Sequence, residues 1–208
     1  MITLLVATRN RGKEREFREI LQRPGYRIVF PDDVGLVEKI EESTIENAET
    51  FEGNARAKAE YFARRSGLPT VADDSGLEVF SLGGLPGVRS RRFAPAAPDQ
   101  DAANNAELLK RLGGAPPEKR RARYRAVIVF LGKPDAIPQA FEGACTGAIL
   151  QAPRGNGGFG YDPLFLSDDL GKTFGEASAD EKHAISHRGR ALRKFNDWLD
   201  SAAAGSPC

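Results

Sequence analysis

Asp73 and Asp74 stand side by side ahead of Ser75 and Gly76, directly behind the apolar approach Leu68-Pro69-Thr70-Val71. Adjacent aspartates repel one another and are poor strand formers. A chain that places them at the end of a buried strand has to supply a cation, a donor network or solvent to hold them. Two carboxylates and a hydroxyl in that setting form a candidate site. The plain alternative is a solvated turn, made possible by Gly76, with Asp73 as its cap.

Two other stretches carry suitable chemistry. Thr8-Arg9-Asn10-Arg11-Gly12-Lys13 offers hydroxyl, amide, guanidinium and ammonium donors for phosphate oxygens. It lacks the glycine spacing of a Walker loop, and a helix start with solvated basic side chains is the competing reading. Further on, Gly155-Asn156-Gly157-Gly158-Phe159-Gly160-Tyr161-Asp162 places four glycines within six residues, which permits positive backbone angles and close approach to a ligand. Phe159 and Tyr161 would hold a flat heterocycle by stacking, with Asp162 as a hydrogen-bond partner at its edge. His183 and His187 are four apart, as in a helical metal pair, but no third ligand of suitable type lies nearby and zinc is not expected.

The elements that must position these groups follow from pattern. Ile2 to Ala7 is an apolar run ending in the Thr8–Lys13 loop, and Phe17, Ile20 and Leu21 then mark one face of a helix closed by Pro24-Gly25. Strand, short polar loop and helix place a helix N-terminus at the carboxyl edge of a sheet, where anions bind. Tyr26 to Phe30 reads as a second strand. The acidic stretch from Pro31 to Thr50, with Glu38, Glu41, Glu42, Glu46 and Glu49, reads as a connection and the start of another helix. Ala55 to Ala63 is an alanine-rich helix carrying Lys58, closed near Gly67; Lys58 by itself is an exposed helix lysine. The paired aspartates then fall between two strand-like segments. Asn104 to Leu112 is a helix, and Tyr124 to Leu131 with Gln139 to Leu150 is an antiparallel pair. A terminal helix presents Leu192, Phe195, Trp198 and Leu199, with Ser186 as its cap, and the tail after Asp200 is expected to fray.

Composition bounds the class. The 208 residues are 40% hydrophobic and 28% charged with net charge +1, ordinary for one sizeable globular domain or two small lobes and unlike a surface built to trap nucleic acid. Lys119, Arg121, Arg123 and Arg125 would share one strand face, for phosphate or partner binding or as a charged face that discourages edge pairing. No stretch approaches a membrane span, the N-terminus lacks a basic leader, and Cys145 and Cys208 give neither a disulfide framework nor a metal spacing; a reducing, cytoplasmic setting fits.

Six blocks in order resemble the inosine triphosphatase family, the non-standard purine nucleoside triphosphate pyrophosphatases of the bacterial RdgB type. They are Thr8 to Lys13, Thr50-Phe51-Glu52-Gly53-Asn54-Ala55, Ala72 to Leu77, Gly84-Leu85-Pro86-Gly87, Gly158 to Pro163 and Ser186-His187-Arg188-Gly189. Arg9 departs from the family, in which glycine is frequent at that position. The resemblance implies an α/β fold with an elongated central mixed sheet flanked by helices, forming one domain whose two lobes flank a nucleotide groove. It also implies a homodimer and Mg²⁺-dependent hydrolysis of ITP, dITP and XTP to the monophosphate and pyrophosphate. By position, Thr8, Asn10 and Lys13, within the loop Thr8-Arg9-Asn10-Arg11-Gly12-Lys13, would contact phosphates. Glu46 and Asp74 would serve the metal, with Asp74 as base, and Lys58, Asp73 and Ser75 would share that centre. Phe159, Gly160, Tyr161, Asp162, Lys182, His187 and Arg188 would hold the nucleotide, mainly its base. The alternatives are a Maf-like pyrophosphatase acting on pyrimidine or modified nucleotides and a nucleic-acid-binding module using Arg89 to Arg92 and Lys119 to Arg125.

Overall fold

The computed structural model describes residues 1–204. Six strands form one mixed sheet in the order β2-β1-β3-β4-β5-β6: β1 (Ile2–Val6), β2 (Tyr26–Val29), β3 (Thr70–Val79), β4 (Arg121–Leu131), β5 (Gln139–Ile149) and β6 (Phe165–Ser167). β1 pairs in parallel with both β2 and β3, whereas β5 and β6 are antiparallel. The helices are α1 (Arg11–Ile20), α2 (Phe51–Ser66), α3 (Gln100–Leu112), α4 (Ala179–Ile185) and α5 (His187–Ala204). Among the described residues no helix is long and apolar enough to cross a membrane.

Two compact units emerge, one from Met1–Asp74, Ala126–Glu142 and the chain from Ala191 on, the other from Ser75–Arg125 and Gly143–Arg190. In the first, Leu4 and Val6 of β1 pack with Phe17 and Leu21 of α1 and with Ala191, Leu192, Phe195 and Leu199 of α5. The 3.6-residue period of α1 and α5 therefore marks a real buried stripe. In the second, Leu77 and Val79 pack with Leu108, Leu112, Tyr124, Tyr161, Phe165 and Phe174. Cys145 belongs to that core, and burial pushes its thiol up to about 12, which makes it a packing residue with little thiolate.

Several expectations are corrected. The aspartates do not sit in a turn: β3 runs unbroken from Thr70 to Val79 through Asp73, Asp74 and Gly76. The acidic stretch is two 3-10 turns, Asp32–Val34 and Ile40–Thr44, and α2 begins only at Phe51, where the Thr50 hydroxyl accepts from Gly53 N–H. α3 begins at Gln100, since Asp99 caps it. β4 starts at Arg121, so Lys119 lies in the preceding 3-10 turn and off the strand face. Arg120 of the basic cluster is buried and donates to the carbonyls of Ile149 and Leu150, each at 2.7 Å. The Ser186 cap is present, its hydroxyl accepting from Gly189 N–H at 3.1 Å. α5 continues past Asp200 to Ala204, so the first part of the expected frayed tail is helical; residues 205–208 lie outside the described residues.

Candidate functional site

Strand alternation sends adjacent side chains to opposite faces, and the two aspartates find partners on different helices. Asp73, 1% exposed, lies 3.0 Å from the Lys13 ammonium of α1. Asp74, 7% exposed, accepts at 2.9 Å from the side-chain amide of Asn54 on α2. The same Asn54 accepts from Ala48 N–H at 2.8 Å, which fastens the end of the acidic segment to the helix. Lys58, one turn after Asn54, donates to the Glu46 carboxylate. Lys13, Glu46, Asn54, Lys58, Asp73 and Asp74 thus form one centre in the first unit.

Its electrostatics are those of buried, mutually compensating charge. Burial pushes Asp74 above the usual aspartate value and Glu46 adds to that, against the pull of Lys13 and Lys58 and the Asn54 hydrogen bond. Burial acts to lower Lys58, but Glu46, Asp74 and Asp73 outweigh it and hold the ammonium above its usual value. Glu46 is lowered, since Lys58 and Lys13 overcome its own burial. The centre therefore holds a firmly charged lysine, a firmly charged glutamate and an aspartate with enhanced proton affinity.

The Thr8–Lys13 loop divides its residues among different tasks. Thr8 is buried and its hydroxyl accepts from Asn10 N–H; Asn10 caps α1 by accepting from Lys13 N–H at 3.0 Å. Gly12 is buried in the first turn, where α1 presents backbone N–H groups and the positive end of its dipole. Arg11 instead points to solvent and meets Glu14. Arg9 is turned to the acidic segment: its guanidinium donates to both Glu42 carboxylate oxygens, to Asp32 and to the Leu36 carbonyl. Both arginines pair with carboxylates other than Asp73 and Asp74.

A second cluster lies in the other unit. Asp162, 2% exposed, accepts from the Lys182 ammonium at 2.6 Å and from Phe159 N–H at 2.8 Å. The Lys182 ammonium also stands 4.7 Å from the Phe159 ring centre, and Arg188 approaches the same ring at 5.8 Å. Arg188, 1% exposed, donates to the Ser75 hydroxyl at 2.7 Å. His187 stacks on Tyr124, rings 4.6 Å apart and 8° from parallel. Gly158 is obligatory here, because a Cβ would meet the Asp162 carboxylate at 2.1 Å and φ is +72°. Of the two aromatics expected to stack on a heterocycle, Phe159 is half-buried, whereas Tyr161 is 3% exposed in the core and donates its hydroxyl to the Ser90 carbonyl. Tyr161 supports the loop.

Asn54 is a site residue that pattern reading left unassigned. Asn54 directly precedes the helix read over Ala55 to Ala63, so its residue type carries no signal of this role; its contact with Asp74 does. Among the described residues no group of three or more His, Cys, Asp or Glu is arranged to hold a metal. Glu46 and Asp74 offer carboxylate oxygens alone, the donor type of a hard cation that takes its remaining ligands from water and substrate.

The first unit thus holds a buried lysine–carboxylate centre and the second a buried Asp-Lys-Arg cluster beside an aromatic ring, within one mixed α/β sheet protein. The chain belongs to the Ham1 family, whose model matches residues 4–198. It is 47% identical over 204 residues to a dITP/XTP pyrophosphatase of Thermus thermophilus, covering 98% of this chain and 93% of that protein. Among solved structures, the Ham1 protein of Staphylococcus aureus is similar with a TM-score of 0.82 at 36% identity, covering 96% of this chain and 99% of that one. A HAM1 protein of Coxiella burnetii gives a TM-score of 0.84 at 33% identity, covering 97% and 100%. The sequence resemblance and the mixed α/β class both stand.

Proposed function

We propose that this protein hydrolyses dITP, ITP and XTP to the nucleoside monophosphate and pyrophosphate. The observation that carries the reading is the buried Asp74 carboxylate, held by the Asn54 amide in one cluster with Glu46, Lys13 and Lys58. Water attacks the α-phosphorus, its proton passes to Asp74, the bond to the bridging oxygen of the β-phosphate breaks, and pyrophosphate leaves. Lys13 and Lys58 neutralise charge on the phosphate oxygens, and the first turn of α1 adds N–H donors.

Mg²⁺ belongs to the same proposal, held by Glu46 and Asp74; when bound, it supplies charge neutralisation to the triphosphate. Two carboxylates suit an ion that keeps waters and shares substrate oxygens. The base is assigned to Phe159, Asp162, Lys182, His187 and Arg188. A guanidinium fixed by Ser75 donates to the 6-carbonyl of hypoxanthine or xanthine, whereas the 6-amino group of adenine meets it donor to donor. A cytoplasmic homodimer is the remaining part of the reading. Turnover of ITP, XTP, dTTP and UTP under Mg²⁺ tests it: preference for the two purines is expected, and preference for a pyrimidine triphosphate overturns it in favour of a Maf-like activity.

A further inference from the structure

The loop that carries Phe159 is rich in glycine, yet its backbone is held at successive points. Gly157 N–H donates to the Gly175 carbonyl, Phe159 N–H to the Asp162 carboxylate and Asp162 N–H back to the Phe159 carbonyl. Gly160, the residue after Phe159, is gripped from outside the loop through both of its peptide groups. Its N–H donates to Asp101 Oδ2 at 2.7 Å, and its carbonyl accepts from Asn105 Nδ2 at 2.9 Å. Asp101 and Asn105 are four apart on α3, the spacing that puts two side chains on one helix face. The Asn105 amide also donates to the Asp101 carbonyl at 2.9 Å, which fixes the side chain for its task. Gly160 takes φ +63° with no atom within 4 Å of a would-be Cβ. No side chain of its own anchors this residue, and the two α3 side chains bond both of its peptide groups.

We propose that Asp101 and Asn105 are positioning residues for the base end of the site. They set the location of Gly160 and, through it, of the Phe159 ring, so that base recognition and KM depend on them more than the chemical step does. The inference rests on the reading that the Phe159–Asp162 loop receives the base. A merely structural part for Asp101 is favourable charge in the first turn of α3, and that part does not distinguish one base from another.

The test measures kcat and KM for dITP and dATP, and competitive inhibition by inorganic tripolyphosphate, which has no base, in Asp101→Ala, Asn105→Ala, Asp101→Asn and Phe159→Ala. Each alanine variant at Asp101 or Asn105 should raise the KM for dITP roughly three- to tenfold, the worth of one hydrogen bond. Selectivity over dATP should fall, with kcat and tripolyphosphate inhibition much less affected. Asp101→Asn keeps an acceptor and should recover most of the loss. If neither alanine variant moves KM or selectivity while Phe159→Ala does, the positioning role is overturned and the base-site reading survives. If tripolyphosphate inhibition weakens in step with KM, the effect is structural and the role is equally overturned. If Phe159→Ala has no effect, the base-site reading fails and this inference with it. Thermal melting of each variant accompanies the kinetics, and the two alanine variants give independent readings should one fold poorly.

Discussion

Asp73 and Asp74 escape their mutual repulsion by facing different helices, with Lys13 beside one and Asn54 donating to the other. The pair thereby separates in its contacts: Asp73 pairs with Lys13, and Asp74, the proposed base, is held by Asn54. Asp74→Asn should retain nucleotide binding measured by calorimetry while kcat falls on the order of 10²- to 10⁴-fold, the usual worth of a general base; wild-type turnover would remove Asp74 from this role. Arg188→Ala should chiefly erode the preference for ITP over ATP, by roughly tenfold or more, because the proposed reading has its directed donor separate the two bases. An unchanged ratio in a competition assay would contradict the assignment. At this scale the Asp73-Asp74 pair stands out in the sequence by its own chemistry, whereas Lys182 and Arg188 enter only through the family resemblance; all of them are buried. Orientation was not legible. Nothing in the run Thr8 to Lys13 says that Arg9 turns to Asp32 and Glu42, because that direction depends on a segment more than twenty residues away.

That segment is held by an element-scale device. Glu42, with a side chain 9% exposed, takes Arg9 from the loop after β1 and Arg65 from the last turn of α2, while Arg9 and Arg65 also donate to the carbonyls of Leu36 and Val37. The irregular chain that delivers Glu46 is thus fastened by charge, having no buried residue within the turn Ile40–Thr44. Burial acts to raise Glu42, but the Arg9 hydrogen bond and charge, with Arg65, win and hold it below its ordinary value of 4.5. A depressed carboxylate contributes its full stability above its unfolded value and loses it as pH falls through the folded one. Glu42→Gln should therefore cost about 1–2 kcal/mol at neutral pH, on the order of 2–8 °C in Tm, and the gap to wild type should close as pH drops below 4.5. A gap independent of pH in thermal melts would contradict the clasp. Elements with a strong apolar period, α1 and α5, could be read in advance; the acidic segment could not, since ion pairs distant in sequence leave no periodic trace. The continuity of β3 was hidden for a related reason: two aspartates look like a turn until α1 and α2 supply their partners.

For the whole molecule, the chain belongs to the Ham1 family, and the proposed reading assigns phosphates to the Lys13–Asp74 centre and the base to the Phe159–Arg188 cluster. The order of six motif blocks along the chain made that reading available from sequence, since their spacing is shared across the chain rather than confined to one loop. What sequence did not reveal is the supporting layer, Asn54, Asp101, Asn105 and Glu42, whose residue types are common and whose importance comes only from what they touch. The most direct measurement of the central claim is the fate of solvent oxygen when dITP is turned over in ¹⁸O-water with Mg²⁺. Attack at the α-phosphorus predicts the label in dIMP, with unlabelled pyrophosphate as the other product. Label in inorganic phosphate, with dIDP formed alongside it, would contradict the account.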